Sequence, residues 1–463
     1  MLTNQDFYGS EEPMSLSSIE VLAQKAADAA RQLARFHRAR QPETTRAATA
    51  GFLSLPDGAP AEITAAKTTL LEATTALQQL VMSPSDFHLN NTIYTQQLAS
   101  YRWLANLQIA DHVPLDGSIE YNALAEIANV PVQQLTRIAR LAMTGGFFYE
   151  PTPGHIQHTA ISAGFRSSEA LGQTMLFLTE TVLPTTTKIV EMSRSAQYAL
   201  REGTEAPART AFQLAHNTSL PFFAYLAQAP ELGKRLAAGM RNNTAAQETS
   251  VQHVLNGFDW SALPAGTHVV DLGGNHGLVS VYLAERLPNL RFTVQDLEGV
   301  IVRAPAIPME LEDRVKFQAH SFFEPQPEGQ QADVFFIRQC LNNWPDEDVV
   351  RILQALVPSL EGSGKTLLMN NIVVPAPFST IAVGEGDVGP ASVDYYGKGL
   401  RHEATARTRD VSMMQMMNGA ERDMQQWTQL LKAADERLEI VAVQKPEGSI
   451  LSVIEVKLRS TQM

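Results

Sequence analysis

The fold is decided by one stretch of the sequence, which reads Val269-Val270-Asp271-Leu272-Gly273-Gly274-Asn275-His276-Gly277. Its β-branched start predicts a short buried strand, and a helical pattern follows it at residues 279–285. Gly273 and Gly274 let the backbone turn tightly and approach a ligand without a Cβ in the way. Because a glycine-rich loop between a strand and a helix is typical of nucleotide-binding domains, we expect Gly273, Gly274 and Gly277 to contact a cofactor.

The next predicted strand supplies an acid. Residues 291–295 form the second predicted strand, which ends at Asp296, 25 positions beyond Asp271, where a carboxylate could accept both hydroxyls of a ribose. Further strand-like runs follow at residues 334–337, 366–369, 439–443 and 450–456, and helical patterns separate several of them. This alternation predicts a doubly wound parallel sheet in the carboxyl half of the chain.

The amino-terminal part has a different pattern. Helices are predicted over residues 17–37 and 61–82, and three shorter ones (96–107, 121–128 and 132–144) precede a hairpin around residues 151–154. Three helices and a hairpin form a winged helix. Two apolar helices are predicted beyond it, over residues 171–192 and 210–239. We therefore expect a helical domain over residues 1–200 and an α/β domain over residues 201–463.

Composition and charge narrow the function. The net charge of −13 disfavours a nucleic-acid partner, and the third helix of the winged helix carries only Arg137 and Arg140 as basic residues. The apolar run 171–183 is too short for a membrane span and contains Glu180. One cysteine, Cys340, and no signal peptide favour a cytoplasmic protein. No cluster of cysteines and histidines has the spacing of metal ligands, so no metal is expected.

The spacing D-x-G-G-x-x-G resembles motif I of class I S-adenosylmethionine-dependent methyltransferases. Residues 94–458 resemble the plant and fungal small-molecule O-methyltransferase family, in which a winged-helix dimerisation domain precedes a Rossmann-like cofactor domain. The resemblance rests on these pieces, in this order: His158-Thr159, Thr210-Ala211-Phe212, residues 270–277, Gln295-Asp296-Leu297, Ser321-Phe322-Phe323, Trp344-Pro345-Asp346-Glu347 and Asn418-Gly419-Ala420-Glu421-Arg422. It implies an α/β class I methyltransferase fold, bound S-adenosylmethionine and a homodimer.

The resemblance also implies roles for single residues. Gly273 would lie against the methionine part of the cofactor and Asp296 against its ribose. Ser321 and Phe322 would border the adenine, with Ser321 replacing the usual acid. Arg338 would lie near the cofactor and the floor of the substrate pocket.

One departure from the family decides the function. Family members remove the proton of the acceptor hydroxyl with a histidine in a His-Asp-Trp run, but this chain reads Asn342-Asn343-Trp344. An amide orients and donates hydrogen bonds but cannot accept a proton at neutral pH. Glu421, which braces that histidine in the family, is expected to have lost its partner.

Three interpretations follow. The first is a pericyclase, as found in a fungal branch of the family, which keeps the cofactor as a fixed cation and dehydrates or cyclises a polyketide or alkaloid intermediate without methyl transfer. There, Arg338 and the sulfonium would stabilise charge, and Asn342 with a histidine such as His158 would donate hydrogen bonds. The second is a methyltransferase that uses His158, His216 or Glu421 as its base, or that accepts an ionised substrate. The third is an inactive protein with a regulatory role.

The substrate pocket of the preferred interpretation is expected to be apolar and shaped. Met413 and Met417 share one face of a predicted helix, and thioether side chains conform to irregular ligands. Met413 is accordingly also assigned to the catalytic set. The other residues expected to line the pocket are Phe212, His216, Phe222 and Met240.

Overall fold

The structure is a computed structural model that describes residues 16–40, 55–56, 58–202, 209–245, 247–329, 332–362, 364–374 and 400–459. The described residues of Met1–Glu180 and Pro377–Ala404 form one compact unit, and those of Thr181–Ala376 and Thr405–Met463 form a second. The domain boundary expected at residue 200 stays a prediction, because these compact units are groups of residues in mutual contact and need not coincide with domains.

The first unit begins with the two predicted amphipathic helices. They are α1 (Leu16–Arg40) and α2 (Ala61–Val81). Small and branched side chains on their facing sides are buried against each other, so the helices approach closely. These side chains are Leu22, Ala26, Ala73 and Ala76 in one cluster and Ala29, Leu33, Ile63 and Ala66 in the next.

The helices and hairpin predicted after these two are confirmed. The helices are α3 (Pro84–Asn106), α4 (Ile109–His112), α5 (Tyr121–Ile127) and α6 (Val132–Thr144), and α7 (Ala160–Ser167) and α8 (Glu169–Phe177) follow the hairpin. The strands are β1 (Ile119–Glu120), β2 (Phe148–Tyr149) and β3 (His155–His158), paired antiparallel in the order β1-β3-β2. Helix α3 begins twelve residues earlier than predicted, because Ser83 and Asp86 form a capping box at its start.

The second unit begins with short helices. They are α9 (Leu183–Thr186), α10 (Ile189–Glu202), α11 (Ala211–Ala215), α12 (Phe222–Gln228), α13 (Pro230–Ala245) and α14 (Gln252–Asn256). The single helices predicted over residues 171–192 and 210–239 are therefore wrong. A π-helical turn, Leu178–Val182, interrupts the first predicted helix. Pro221 and Pro230 interrupt the second, since each lies at the start of a new helix, where the missing N–H is tolerated.

A seven-stranded sheet forms the centre of the second unit. Its strands are β4 (His268–Leu272), β5 (Arg291–Asp296), β6 (Val315–Ala319), β7 (Val334–Arg338), β8 (Thr366–Ile372), β9 (Leu438–Gln444) and β10 (Leu451–Leu458). The order is β6-β5-β4-β7-β8-β10-β9. Strands β4 to β8 are parallel, but β10 runs antiparallel to both of its neighbours. The sheet is thus mixed, which corrects the parallel sheet expected from the sequence.

Helices cover both faces of this sheet. They are α15 (Leu278–Arg286), α16 (Glu298–Ile301), α17 (Asp346–Leu360), α18 (Leu400–Met417) and α19 (Met424–Ala434). One face buries side chains of α17 and α19, including Leu353, Leu356 and Trp427, and the other buries Leu283 and Ala284 of α15. This is the α/β arrangement expected from the sequence. Because β5 and β7 lie on opposite sides of β4, the carboxyl ends of β4 and β7 form a topological switch point, where ligands bind in such sheets.

Candidate functional site

The glycine loop lies at that switch point. The N–H groups of Gly273 and Gly274 both donate to the carbonyl oxygen of Gln295, over 2.8 and 3.1 Å. Gly273 and Gly277 have φ of +70° and +74°, a left-handed conformation that favours glycine. A Cβ on Gly273 would lie 2.8 Å from the sulfur of Cys340, and one on Gly274 would lie 2.7 Å from the carboxylate of Asp271. The loop therefore requires glycine at both positions.

Asp271 lies beneath this loop, fully buried. The Ser280 hydroxyl donates to its Oδ2 over 2.6 Å. Burial raises the pKa of Asp271 to about 6, against the smaller opposing effects of Ser280 and the Arg338 charge. Burial also raises the pKa of the neighbouring Cys340 thiol to about 12, so that sulfur is neutral at physiological pH.

Asp296 ends the adjacent strand β5 and helps to shape the loop. Its Oδ2 accepts the N–H of Asn275 over 2.9 Å, and its Oδ1 accepts the N–H of Leu297 over 2.7 Å. Each oxygen keeps a lone pair that a ribose hydroxyl can use. Desolvation raises the pKa of this carboxyl group, and the two backbone hydrogen bonds oppose that shift.

Ser321 and Phe322 follow β6, on the next strand of the sheet. The ring of Phe322 lies 3.2 Å from the position that a Cβ on Gly273 would take. The Ser321 hydroxyl accepts the N–H of Phe323 over 3.3 Å. Ser321, Phe322, the glycine loop and Asp296 thus lie at neighbouring strand ends, which is the placement expected of the cofactor set.

Arg338 ends β7 and is held by polar partners. Its Nε donates to Asn370 Oδ1 over 3.0 Å, and its Nη2 donates to the carbonyl oxygen of Thr249 over 2.6 Å. Burial lowers the pKa of Arg338 to about 10, so the guanidinium stays charged at neutral pH. These contacts anchor the side chain in the unit. Its expected role towards cofactor and substrate stays a prediction.

Asn342 and Glu421 form a buried pair. Asn342 Nδ2 donates to Glu421 Oε1 over 3.0 Å, so the expectation that Glu421 has lost its partner is wrong: the amide replaces the imidazole as a donor to the carboxylate. Among the residues that the structure describes, Asn342 Oδ1 and Glu421 Oε2 have no hydrogen-bond partner. Two buried acceptor oxygens of this kind require a donor, because burying an unpaired polar atom costs free energy.

Arg409, on α18, is a residue of this site that the sequence analysis missed. Its Nε lies 3.5 Å from Glu421 Oε1, and its Nη2 donates to Gln339 Oε1 over 2.7 Å. Burial raises the pKa of Glu421, while Arg409 and the Asn342 amide lower it. Arg409 precedes Met413 by four residues and so shares its helix face, which is the sequence signal that could have identified it.

A buried arginine, Arg422, holds the turn that contains Asn342 against the segment that contains Glu421. Its guanidinium donates to the carbonyl oxygens of Leu341, Trp344 and Ala420 and to the Asp346 carboxylate, over 2.7 to 3.1 Å. Gly419 permits the close approach, since a Cβ there would collide with the carbonyl oxygen of Asn342.

The residues expected to line the substrate pocket lie in the second unit. Met413 and Met417 are half-buried on α18, and Phe212 and Phe222 are buried with their rings 5.1 Å apart. The sulfur of Met240 lies 4.0 Å from Asn275 Nδ2. The His216 ring lies 4.5 Å from Phe212, and burial lowers the pKa of His216. Their contact with a substrate stays a prediction.

His158 lies in the first unit. One ring nitrogen lies 2.9 Å from Ser162 Oγ and the other 3.1 Å from the carbonyl oxygen of Val113. Burial lowers the pKa of His158, so the neutral ring is favoured. Both nitrogens are therefore engaged in holding the winged helix, and the catalytic role assigned to His158 stays a prediction.

The described parts of the chain contain no group of three or more histidine, cysteine or acidic side chains placed to hold a metal ion. None of their helices combines the length and apolar character needed to cross a membrane.

The chain is similar to known O-methyltransferases. A family model for the O-methyltransferase domain matches residues 196–384. The O-methyltransferase VdtC of Byssochlamys spectabilis is 36% identical over 96% of this chain and 99% of its own length. The O-methyltransferase aurJ of Gibberella zeae is 34% identical over 88% of this chain and 89% of its own length.

Solved structures share the fold. LepI in complex with SAM has a TM-score of 0.66 at 21% identity, over 85% of this chain and 94% of its own. OxaC in complex with sinefungin and meleagrin has a TM-score of 0.67 at 18% identity, over 96% of this chain and 100% of its own. At these identities the likeness shows the fold alone.

We predict that Asp271 makes stability depend on pH. Its pKa is about 6 in the folded protein against 3.8 for an ordinary aspartate, so the native state binds more protons between these values. The free energy of unfolding then falls as pH rises through this window, by up to roughly 3 kcal/mol. Asp271→Asn keeps an oxygen for Ser280 but does not titrate. In urea titrations, its stability relative to wild type should therefore rise between pH 4 and 7.

Asp259 provides a control, because its pKa is shifted in the opposite direction and its effect on stability with pH has the opposite sign. The Ser261 hydroxyl lowers the pKa of this exposed carboxylate, so Asp259→Asn should lose stability relative to wild type as pH rises. A pH-independent difference between Asp271→Asn and wild type would contradict the prediction.

We also predict that Arg422→Met destabilises the protein by about 3 kcal/mol, because it removes the guanidinium donor from three backbone carbonyl oxygens. The matched control is Lys457→Met, which removes a half-exposed ion pair with Glu455 and should cost less than about 1 kcal/mol. Chemical denaturation followed by circular dichroism gives both values. Equal losses in the two variants would show that Arg422 does not hold the site together.

Proposed function

This chain belongs to the O-methyltransferase family, and from that premise we propose that it binds S-adenosylmethionine and catalyses a pericyclase-type reaction. The reaction would dehydrate or cyclise a small polyketide or alkaloid molecule, and the bound cofactor would not be consumed. Asn342 carries this proposal, because an amide stands where methyl transfer needs a base.

The residues of the cofactor site fit S-adenosylmethionine. The loop turns tightly at the end of β4 because a Cβ on Gly273 or Gly274 would collide with Cys340 or Asp271. Asp296, beside this loop, keeps lone pairs for the ribose. When bound, the cofactor supplies a fixed positive charge at sulfur and, in methyl transfer, the methyl group itself. Phe322, which packs over Gly273, provides an apolar surface at the same strand ends.

The chain's own residues suit a reaction without an external base. Such a reaction needs the substrate held in one conformation, with donors or positive charge at an oxygen whose electron density rises. Arg409 provides charge beside Glu421, and Arg338 lies close enough for its pKa to respond to Arg409. Glu421 Oε2 and Asn342 Oδ1 are available to accept hydrogen bonds from a substrate hydroxyl or enol.

A second function is favoured by a separate observation. Glu421 is a buried carboxylate with a raised pKa, and its Oε2 lacks a partner within the described chain, so it could accept a proton from an acidic phenol. Methyl transfer with Glu421 as base also agrees with the names of the curated relatives, which are O-methyltransferases.

Product masses separate the two functions. The purified protein is incubated with S-adenosylmethionine and candidate polyketide or alkaloid intermediates, and demethylated cofactor is counted beside the products. We expect an isomer, or a product lighter by one water, without cofactor turnover. A methylated product that appears in step with demethylated cofactor would end the pericyclase proposal and establish the second function.

The matched variants act on the same position. Asn342→His returns an imidazole beside Glu421 and should introduce methyl transfer, whereas Asn342→Gln keeps an amide and should not. No product of either kind from any candidate, in folded protein that binds the cofactor, would favour the regulatory role instead.

We further propose a homodimer formed by the amino-terminal domain. Residues 84–96 of α3 are exposed apart from the half-buried Asn90, and they include the apolar side chains Phe87, Leu89 and Tyr94. Apolar side chains gathered on an exposed helix are typical of an interface, and a second copy of the chain is the partner that the family implies.

Sedimentation equilibrium tests this prediction. Wild type should be a dimer at micromolar concentration, and the double substitution Phe87→Glu with Leu89→Glu should shift it towards monomer, because charge would be buried in the interface. Glutamates at the exposed polar positions Gln425 and Gln429 of α19, which lie in the second unit, serve as the control and should leave the dimer intact. Monomeric wild-type protein would refute the dimer.

A further inference from the structure

Gln295 precedes Asp296 on β5 and contacts both walls of the cofactor site. Its carbonyl oxygen accepts the N–H groups of Gly273 and Gly274. Its side chain is buried, and Nε2 donates to Gln318 Oε1 over 2.9 Å and to Gln326 Oε1 over 2.8 Å. Gln326 Nε2 donates back to Gln295 Oε1 over 3.0 Å, so the two amides form a reciprocal pair.

Gln326 ends a segment that we call the adenosine loop, residues 320–326, because it carries Ser321 and Phe322. At the start of this loop, the N–H of His320 donates to the carbonyl oxygen of Asp296 over 2.9 Å. Within it, the N–H of Glu324 donates to the carbonyl oxygen of Ser321 over 2.9 Å. The adenosine loop is thus fastened at both ends to Gln295 and Asp296, the residues that also hold the glycine loop.

The amide pair affects the width of the cofactor site. Phe322 packs over Gly273, so the position of the adenosine loop sets the distance between the two walls. Among the described residues, the amide pair with Gln295 provides the side-chain hydrogen bonds that hold the carboxyl end of the loop. Without the amide pair, the carboxyl end of the adenosine loop gains conformational freedom. This freedom must be lost again when a ligand binds, which lowers the affinity.

We propose that Gln326, acting through Gln295, is a positioning residue that holds the adenosine loop in its binding conformation. This inference rests on the cofactor site proposed above. The amide pair would thereby raise the affinity of the site for the adenosine part of the cofactor. Neither glutamine needs to touch the ligand.

The test measures ligand affinity by calorimetry in the full-length protein. Gln326→Met keeps the length of the side chain but removes both hydrogen bonds, and we expect it to weaken binding of S-adenosylhomocysteine about ten-fold. 5′-Methylthioadenosine, which lacks the amino-acid part, should be weakened by the same factor. The matched control is Gln318→Met, which also removes a hydrogen bond to Gln295 but leaves the loop pair intact, and should change affinity less than about two-fold.

A double-mutant cycle tests whether Gln326 acts through Gln295. Once Gln295→Met is in place, adding Gln326→Met should weaken binding little further. Chymotrypsin gives a second readout, because cleavage at Phe322 and Phe323 should be faster in Gln326→Met than in Gln318→Met and should slow when ligand is bound.

Several outcomes would overturn the inference. These are wild-type affinity in folded Gln326→Met, an equal loss in Gln318→Met, or additive losses in the double variant. If Gln326→Met does not fold, Gln326→Glu replaces it, since it removes the donor to Gln295 Oε1, and unchanged affinity there would be equally decisive. Failure of the wild-type protein to bind either ligand would instead refute the proposed cofactor site.

Discussion

The arrangement of this site depends on one buried cation. Arg422 satisfies carbonyl oxygens on both sides of the contact between the Asn342 turn and the segment that carries Glu421, and it reaches the Asp346 carboxylate at the start of α17. A guanidinium presents five donors in a fixed plane, so it fixes the direction of several acceptors at once, whereas the three donors of a lysine rotate freely. The pairing of Asn342 with Glu421 follows from this fixed geometry, because their side chains come from segments 79 residues apart.

Buried acids and buried arginines oppose each other's charge in this site. Asp271 and Glu421 are both buried acids with raised pKa values, and Arg338 and Arg409 lie close enough to oppose those shifts. Desolvation remains the largest effect at both acids, so neither carboxylate is strongly stabilised as an anion. Such a site responds to small changes, because adding or removing one charge in a low dielectric alters the protonation of its neighbours. A cationic cofactor beside the glycine loop would act on this same balance.

The sequence predicted the parts of this protein that depend on local patterns. The strand, glycine loop and helix at residues 269–285 follow from β-branched residues, glycines and a 3.6-residue period. Strand β6 was missed, and the antiparallel edge formed by β10 was not foreseen, because strand direction depends on pairing between distant residues. The same limit applied in the site. Asn342 and Glu421 were both identified from their motifs, but their pairing, the Arg409 beside them and the Gln295 pair with Gln326 depend on contacts between different elements.

The exchange of an imidazole for an amide can be weighed with ordinary acidities. A phenol has a pKa near 10, about 3.5 units above that of histidine, so proton transfer to an imidazole is uphill by roughly 5 kcal/mol. The same pKa lies about 6 units above that of an ordinary glutamate, so transfer to a carboxylate is uphill by roughly 8 kcal/mol. Burial of Glu421 narrows that gap, while Arg409 and the Asn342 amide widen it. Accepting a hydrogen bond from the same hydroxyl requires no such transfer. Glu421 Oε2 is therefore better suited to orient a neutral hydroxyl or enol than to ionise it, and this difference favours chemistry in which the substrate rearranges over methyl transfer to a phenol.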